Sequence, residues 1–226
     1  KRYFSTPIYV LNTGVGMIII VAASVATLFV DGQTLTMYMD MPYVAELMPL
    51  NALLVLVFGI GISCTTTSSI SLEGKNLWIV KSLPTREMDI FKGKIFLNLL
   101  ITIPLGIVAN IIFFIGLKFS FVALLWNLAF TIVFSLLTSI VGLVINLYLP
   151  KLDWASPTVV VKQSAAVLIE MLFTFAAIGL PIGAFLLFNI TNINMFLSII
   201  LAILIILLII SYCILNTVGI KKFNQL

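Results

Sequence analysis

Six apolar stretches divide this chain, each close to the roughly 20 residues that a helix needs to cross the hydrocarbon core of a bilayer. They fall at about 8–30, 50–68, 93–117, 121–147, 164–188 and 195–218. Runs of this kind leave few choices. Inside lipid every backbone N–H and C=O must find its partner within the protein, and a continuous apolar segment meets that condition as a helix. The composition agrees: 62% of the 226 residues are hydrophobic and 9% are charged, against about 45–50% and 25% in a soluble domain. The expected fold is an all-α membrane protein, a single transmembrane domain over residues 1–226 with six membrane helices.

The polar segments between the spans set the sidedness. An even number of spans puts both termini on one side. That side then receives Lys1, Arg2, Lys75, Lys81, Arg86, Lys92, Lys94, Lys151, Lys162, Lys221 and Lys222, while the other receives only Lys118. Basic residues accumulate on the cytoplasmic side of membrane proteins, so both termini and the segment between spans two and three are expected in the cytoplasm. The outer loop Asp31 to Pro49 holds Asp40 and Glu46 but no Lys or Arg, and Lys118-Phe119-Ser120 reads as a tight outer turn. Tyr148 to Gln163 reads as a polar inner loop. The sequon-like Asn189-Ile190-Thr191 falls on the outer side, where coincidence is the simpler explanation. The first apolar run is too long for a secretory leader and has no small-residue cleavage site, so no signal peptide is expected. The chain starts at Lys1 and not at Met, which suggests part of a longer polypeptide.

The segment from Ser71 to Lys94 stands apart. It carries Glu73, Lys75, Lys81, Arg86, Glu87, Asp89, Lys92 and Lys94 among Leu72, Leu77, Trp78, Ile79, Val80, Leu83, Ile90 and Phe91. Charged and apolar residues mixed at such close range suit a surface that meets water on one side and an apolar body on the other. Ser71 is placed to cap a helix with Glu73 in its first turn. Pro84 is placed to end that helix, and Thr85 to cap a second one that runs through Lys92-Gly93-Lys94 into the third span. The expectation is a helix, an elbow and a helix entering the membrane. Two uses fit: a helix lying among anionic lipid headgroups, or a knob that docks a cytoplasmic partner. The acid–base mixture and the Pro elbow favour the knob.

These residues carry a resemblance. Glu73-Gly74-Lys75-Asn76-Leu77-Trp78, then Lys81-Ser82-Leu83-Pro84, then Lys92-Gly93-Lys94 resembles the cytoplasmic elbow of permease subunits of bacterial ABC exporters of the type-2 export class. Lys1 to Tyr9 resembles the amphipathic entry segment of such permeases. Pro150-Lys151-Leu152-Asp153-Trp154 with Val161-Lys162-Gln163-Ser164 resembles the loop before the fifth span of large fused permeases of the Firmicutes type. The resemblance implies a multi-pass subunit of the bacterial plasma membrane that forms half of a translocation pathway, here the C-terminal half of a fused chain or one subunit of a homodimer. It implies a coupling segment at 71–92 in which Glu73, Gly74, Lys75, Asn76, Leu77, Trp78, Lys81, Leu83 and Pro84 dock a separate nucleotide-binding subunit. It also implies short re-entrant helices near Pro181. The chain has no phosphate-binding loop: Lys75 and Lys94 each follow a Gly, but Ser69 and Met88 stand where such a loop needs its first Gly. ATP and Mg would therefore belong to the partner subunit, with no cofactor in this chain.

Glu170 is the single acid set inside a span, and charge at membrane depth is costly and faces a cavity or a partner. Both a pathway role and a structural role, bonded to Asn146 or reached by Lys162, fit it. Pro181 lies between Gly179 and Gly183, where a kink or break in the fifth span is expected. Asn98, Asn110, Asn127, Asn146 and Asn216 are expected as interhelical hydrogen-bond pins. The chain has no His and two Cys, Cys64 and Cys213. No metal site, disulfide framework or acid–base enzyme chemistry is expected from that set. Besides the nucleotide-binding subunit and a second permease half, membrane lipid is the expected partner, and nucleic acid is not. The competing functional class is an ion-coupled secondary transporter or a lipid scramblase without an ATPase.

Overall fold

The computed structural model describes residues 6–29, 44–188 and 192–226. The first five residues, the stretch 30–43 with Asp40, and the Asn189–Thr191 sequon lie outside them. The described residues form helices: α1 (Pro7–Ala26), α2 (Val44–Ile62), the one-turn α3 (Thr66–Ser69), a 3-10 segment (Ser71–Asn76), α4 (Leu77–Lys81), α5 (Glu87–Leu117), α6 (Phe121–Tyr148), α7 (Pro157–Gln163), α8 (Ala165–Leu187), α9 (Ile193–Ile214), a π-helical segment (Leu215–Gly219) and α10 (Ile220–Gln225). Among the described residues six helical runs are long and apolar enough to cross a membrane.

Helix α6 is the centre of the bundle. It packs against α2, α3, α5, α8 and α9. Its Phe134 and Leu137 are fully buried beside Leu56 and Ile60 of α2 and Phe113 of α5. At the charged end a second apolar cluster joins Leu143 and Leu147 of α6 to Ile70, Leu77, Phe91, Leu215 and Phe223. Lipid is as apolar as Leu, so burying such side chains gives little drive between membrane helices, and close backbone approach and polar contacts matter more. Both are present. Helices α1 and α2 cross where a Cβ on Gly16 would strike the Gly59 carbonyl and one on Gly59 would strike Ile20.

Four of the five asparagines are pins, as expected. Asn98 of α5 accepts from the Thr65 N–H at 2.7 Å and from Thr65 Oγ1 at 3.0 Å, and donates to Ser139 Oγ of α6 at 2.7 Å. Asn110 donates to Thr131 Oγ1, Asn127 to the Pro49 carbonyl, and Asn146 to Ser71 Oγ. Asn216 is exposed on the π-helical segment, with no side-chain hydrogen bond to another helix among the described residues.

The helix ends follow local chemistry. Ser120, Ser164 and Asn192 cap α6, α8 and α9 by accepting from Ala123 N, Val167 N and Met195 N. Lys118, with φ 51°, closes α5 in the left-handed conformation and makes the expected tight turn.

Three expectations are corrected. The outer loop does not extend to Pro49, because α2 already starts at Val44 and carries Pro49 inside it. The inner loop Tyr148 to Gln163 is not loop throughout: Ser156 stands at the N-cap and Pro157 at the first position of α7, where its missing N–H is no loss. And α8 passes through Pro181 without a break. Neighbouring turns in membrane helices absorb the lost backbone bond, so no re-entrant pair is formed there.

Candidate functional site

The elbow between α3 and α5 differs from the expected helix–turn–helix in ways that matter for its use. Ser71 caps nothing. Its hydroxyl is claimed by tertiary partners, accepting from Asn146 Nδ2 at 2.7 Å and from the Lys151 N–H at 2.9 Å. Asn146 Oδ1 in turn accepts from the N–H groups of Ile70 and Ser71, and the Glu73 N–H, which a Ser71 cap could have served, bonds back to the Ile70 carbonyl.

The chain then bends at Gly74, whose φ of 51° and ψ of −135° lie outside the helical region. Trp154 explains the bend. Its indole N–H donates to the Ser71 carbonyl at 2.8 Å. A Cβ on Gly74 would meet Trp154 Nε1 at 3.0 Å and the Leu152 carbonyl at 3.2 Å. Glycine alone tolerates both the backbone conformation and the close approach.

After the bend, α4 lasts five residues. Helix α4 ends at Lys81, three residues before Pro84, when the Ser82 N–H bonds back to the Trp78 carbonyl. Arg86, not Thr85, occupies the N-cap of α5, with Glu87 and Asp89 in its first turn as expected. Helix α5 does run unbroken through Lys92-Gly93-Lys94 into the third span.

The nine residues singled out in the sequence split into two groups. Glu73, Gly74 and Leu77 face inward. Glu73 forms a half-buried ion pair with Lys94 at 3.0 Å, and Leu77 is 4% exposed within the lower core. Lys75, Asn76, Trp78, Lys81, Leu83 and Pro84 face outward. Trp78 is 66% exposed, Leu83 51% and their neighbour Ile79 46%, so the short Trp78–Leu83 ridge exposes three large apolar side chains. Lys75 pairs with Asp153 at 3.6 Å on the surface. Beside Trp78 a cleft of about 420 Å³ is lined by Leu77, Leu152, Asp153 and Leu226.

The C-terminal helix braces this elbow, which the sequence did not reveal. Lys81 Nζ donates to the Asn224 carbonyl at 3.2 Å and lies 5.7 Å from the Phe223 ring centroid. Asn224 donates to Glu87 Oε1, and Phe223 packs edge-on against Phe91 at 5.4 Å. The inner loop, the elbow and the C-terminal helix thus share one end of the bundle. Signals for this lay in Trp154 and Phe223, aromatic residues in otherwise polar surroundings, but their partners are 83 and 132 residues away in sequence.

Glu170 forms a second candidate site. It lies on α8 and is 2% exposed. Neither carboxylate oxygen has a hydrogen-bond partner among the described residues. Asn146 is engaged with Ser71 and does not reach it. Lys162 lines the same cleft, and among the described residues the ion pairs join other groups. Pro181 borders a different, apolar cavity of about 260 Å³, closer to the opposite end of α8. Structure thus does not bring the two suggested pathway residues together. Among the described residues no cluster of three His, Cys, Asp or Glu is placed to hold a metal ion. No family model matches the chain, and neither a curated protein nor a solved structure matches it.

Proposed function

We propose that the chain is the transmembrane subunit of an ATP-driven ABC exporter, contributing half of a translocation pathway and docking a separate nucleotide-binding subunit through the Trp78–Leu83 ridge. One observation carries this reading: the ridge is exposed yet rigidly mounted. A helix that only floats among headgroups needs no tether to the bundle. This one is held by the Ser71–Asn146–Lys151 contacts, the Trp154 indole, the Glu73–Lys94 pair and Lys81 on the C-terminal helix. A mount of that stiffness suits a part that must pass a push from a motor to membrane helices. In this reading Trp78, Ile79 and Leu83 enter a cleft on the partner, Lys75, Lys81 and Arg86 border it, and Glu73, Gly74 and Leu77 hold the mount. ATP and Mg are bound by the partner.

The test is co-expression with a candidate nucleotide-binding chain and purification of the complex. The parent chain is expected to retain the partner and to change its ATPase rate in liposomes. Trp78→Ala with Leu83→Ala is expected to weaken the complex by about 2 kcal/mol or more, the range of an interface anchor. If the double variant holds the partner as firmly as the parent does, the ridge is not the docking element.

A second reading, an ion-coupled carrier, is favoured by one observation, the unpartnered Glu170 at membrane depth. Transport in liposomes driven by a proton or sodium gradient without ATP would support it over the first.

A further inference from the structure

Glu170 sits in a cleft of about 440 Å³ between α1 and α8. Helix α1 packs on α2, α5 and α7 instead of running along α8, and the gap is left between them. Phe58 and Ile62 of α2 line it, as does the exposed Lys162 near the end of α7. A buried carboxylate with no partner is costly. The hydroxyls around the cleft do not relieve it: Thr13 donates to the Tyr9 carbonyl and Thr67 to the Cys64 carbonyl. The chain therefore buries a carboxyl group at the wall of a cleft lined by both polar and apolar side chains, and leaves both its oxygens without a hydrogen-bond partner among the described residues.

We propose that this cleft binds an amphiphilic organic cation, with Glu170 as counter-ion to its ammonium group and the wall of Val15, Phe58, Ile62 and Met171 against its apolar body. Size and lining favour an organic cation over a bare ion. The volume is many times the roughly 10–15 Å³ that one water molecule requires. A divalent metal would find a single carboxylate and none of the clustered donors it needs. The inference stands apart from the energy source, because such a cleft serves an ATP-driven and an ion-driven pathway equally.

The experiment uses the full chain in phosphatidylcholine nanodiscs with dodecylammonium as probe and dodecanoate as its anionic counterpart. In the parent protein, carbodiimide modification of Glu170, followed by mass spectrometry, is expected to slow when dodecylammonium is added and to be unaffected by dodecanoate. Titration calorimetry, with empty nanodiscs subtracted, is expected to show binding that Glu170→Gln weakens at least about tenfold, the effect of losing one charge-assisted contact. Met171→Trp, which keeps the acid and fills the cleft, is expected to weaken it similarly. The carbodiimide arm needs no variant: equal modification with and without dodecylammonium overturns the proposal. So does protection by sodium chloride alone to the same extent, which would make the ligand an inorganic ion. Undiminished binding by both folded variants overturns it as well.

Discussion

Gly74 and Asn98 show how much of this molecule rests on single residues. At Gly74 a side chain meets two obstacles at once, a positive φ paired with a ψ of −135° and the Trp154 indole at 3.0 Å. Gly74→Ala is expected to destabilise the elbow by about 1–3 kcal/mol, the range for a residue forced into a sparse backbone region, and to lower the thermal unfolding midpoint measured in nanodiscs. An unchanged midpoint would mean that the bend is not held as described. Asn98 closes three contacts between α5, the Thr65 turn and α6 while fully buried. Asn98→Ala leaves the Thr65 N–H and the Ser139 hydroxyl without that partner, at an expected cost of about 1–3 kcal/mol. Asn216→Ala serves as its control, because Asn216 is exposed and its replacement is expected to stay within about 0.5 kcal/mol. Both are spans-and-amides residues of the same type, and the sequence did not separate them. The difference lies in whether a partner helix faces them, which is a property of the packed bundle.

At the scale of elements, what the sequence made legible and what it hid divide by range. Long apolar runs and the Lys118 turn are local signals, and each stands close to where it is expected; the Ser120 and Ser164 caps are equally local but come from the structure. The cap expected at Ser71 from equally good local chemistry does not form, because Asn146 and Lys151, 75 and 80 residues away, take the hydroxyl. Glu73 stands among the expected docking residues by its place in a motif, and Lys94, 21 residues on, turns it inward. Helix α7 has a local signal in Ser156-Pro157, set among polar residues that otherwise read as loop. Pro181 does not break its helix: in water a mid-helix proline costs about 3 kcal/mol, whereas in a membrane protein neighbouring helices, Ser/Thr side chains and local adjustments re-satisfy the freed backbone groups. If α8 is continuous as described, Pro181→Ala is expected to leave the unfolding midpoint unchanged or to raise it. Single cysteines placed from 178 to 186 in a Cys213→Ser background should then react with maleimide at a helical period of about 3.6 residues. A run of consecutive reactive positions would instead indicate a re-entrant break.

The whole molecule is polarised, and the polarity is what gives the elbow its meaning. The elbow, the loop that carries Trp154 and the C-terminal helix lie together through Trp154–Ser71, Lys75–Asp153 and Lys81–Asn224, while Lys118 turns the chain at the far end of α5. Basic residues are concentrated at the first end, so the positive-inside bias sets a specific expectation for orientation. Ser82→Cys, Asp153→Cys and Asn224→Cys should all be shielded from an impermeant maleimide in intact cells and become reactive after permeabilisation, and Lys118→Cys should react without it. The pattern separates two kinds of failure. If Ser82→Cys and Asn224→Cys react from opposite sides, the bundle as described is wrong, because the two positions share one end. If they react together from outside while Lys118→Cys is shielded, the bundle stands but is inverted, and a ridge facing away from the cytoplasm has no ATP-driven partner to meet.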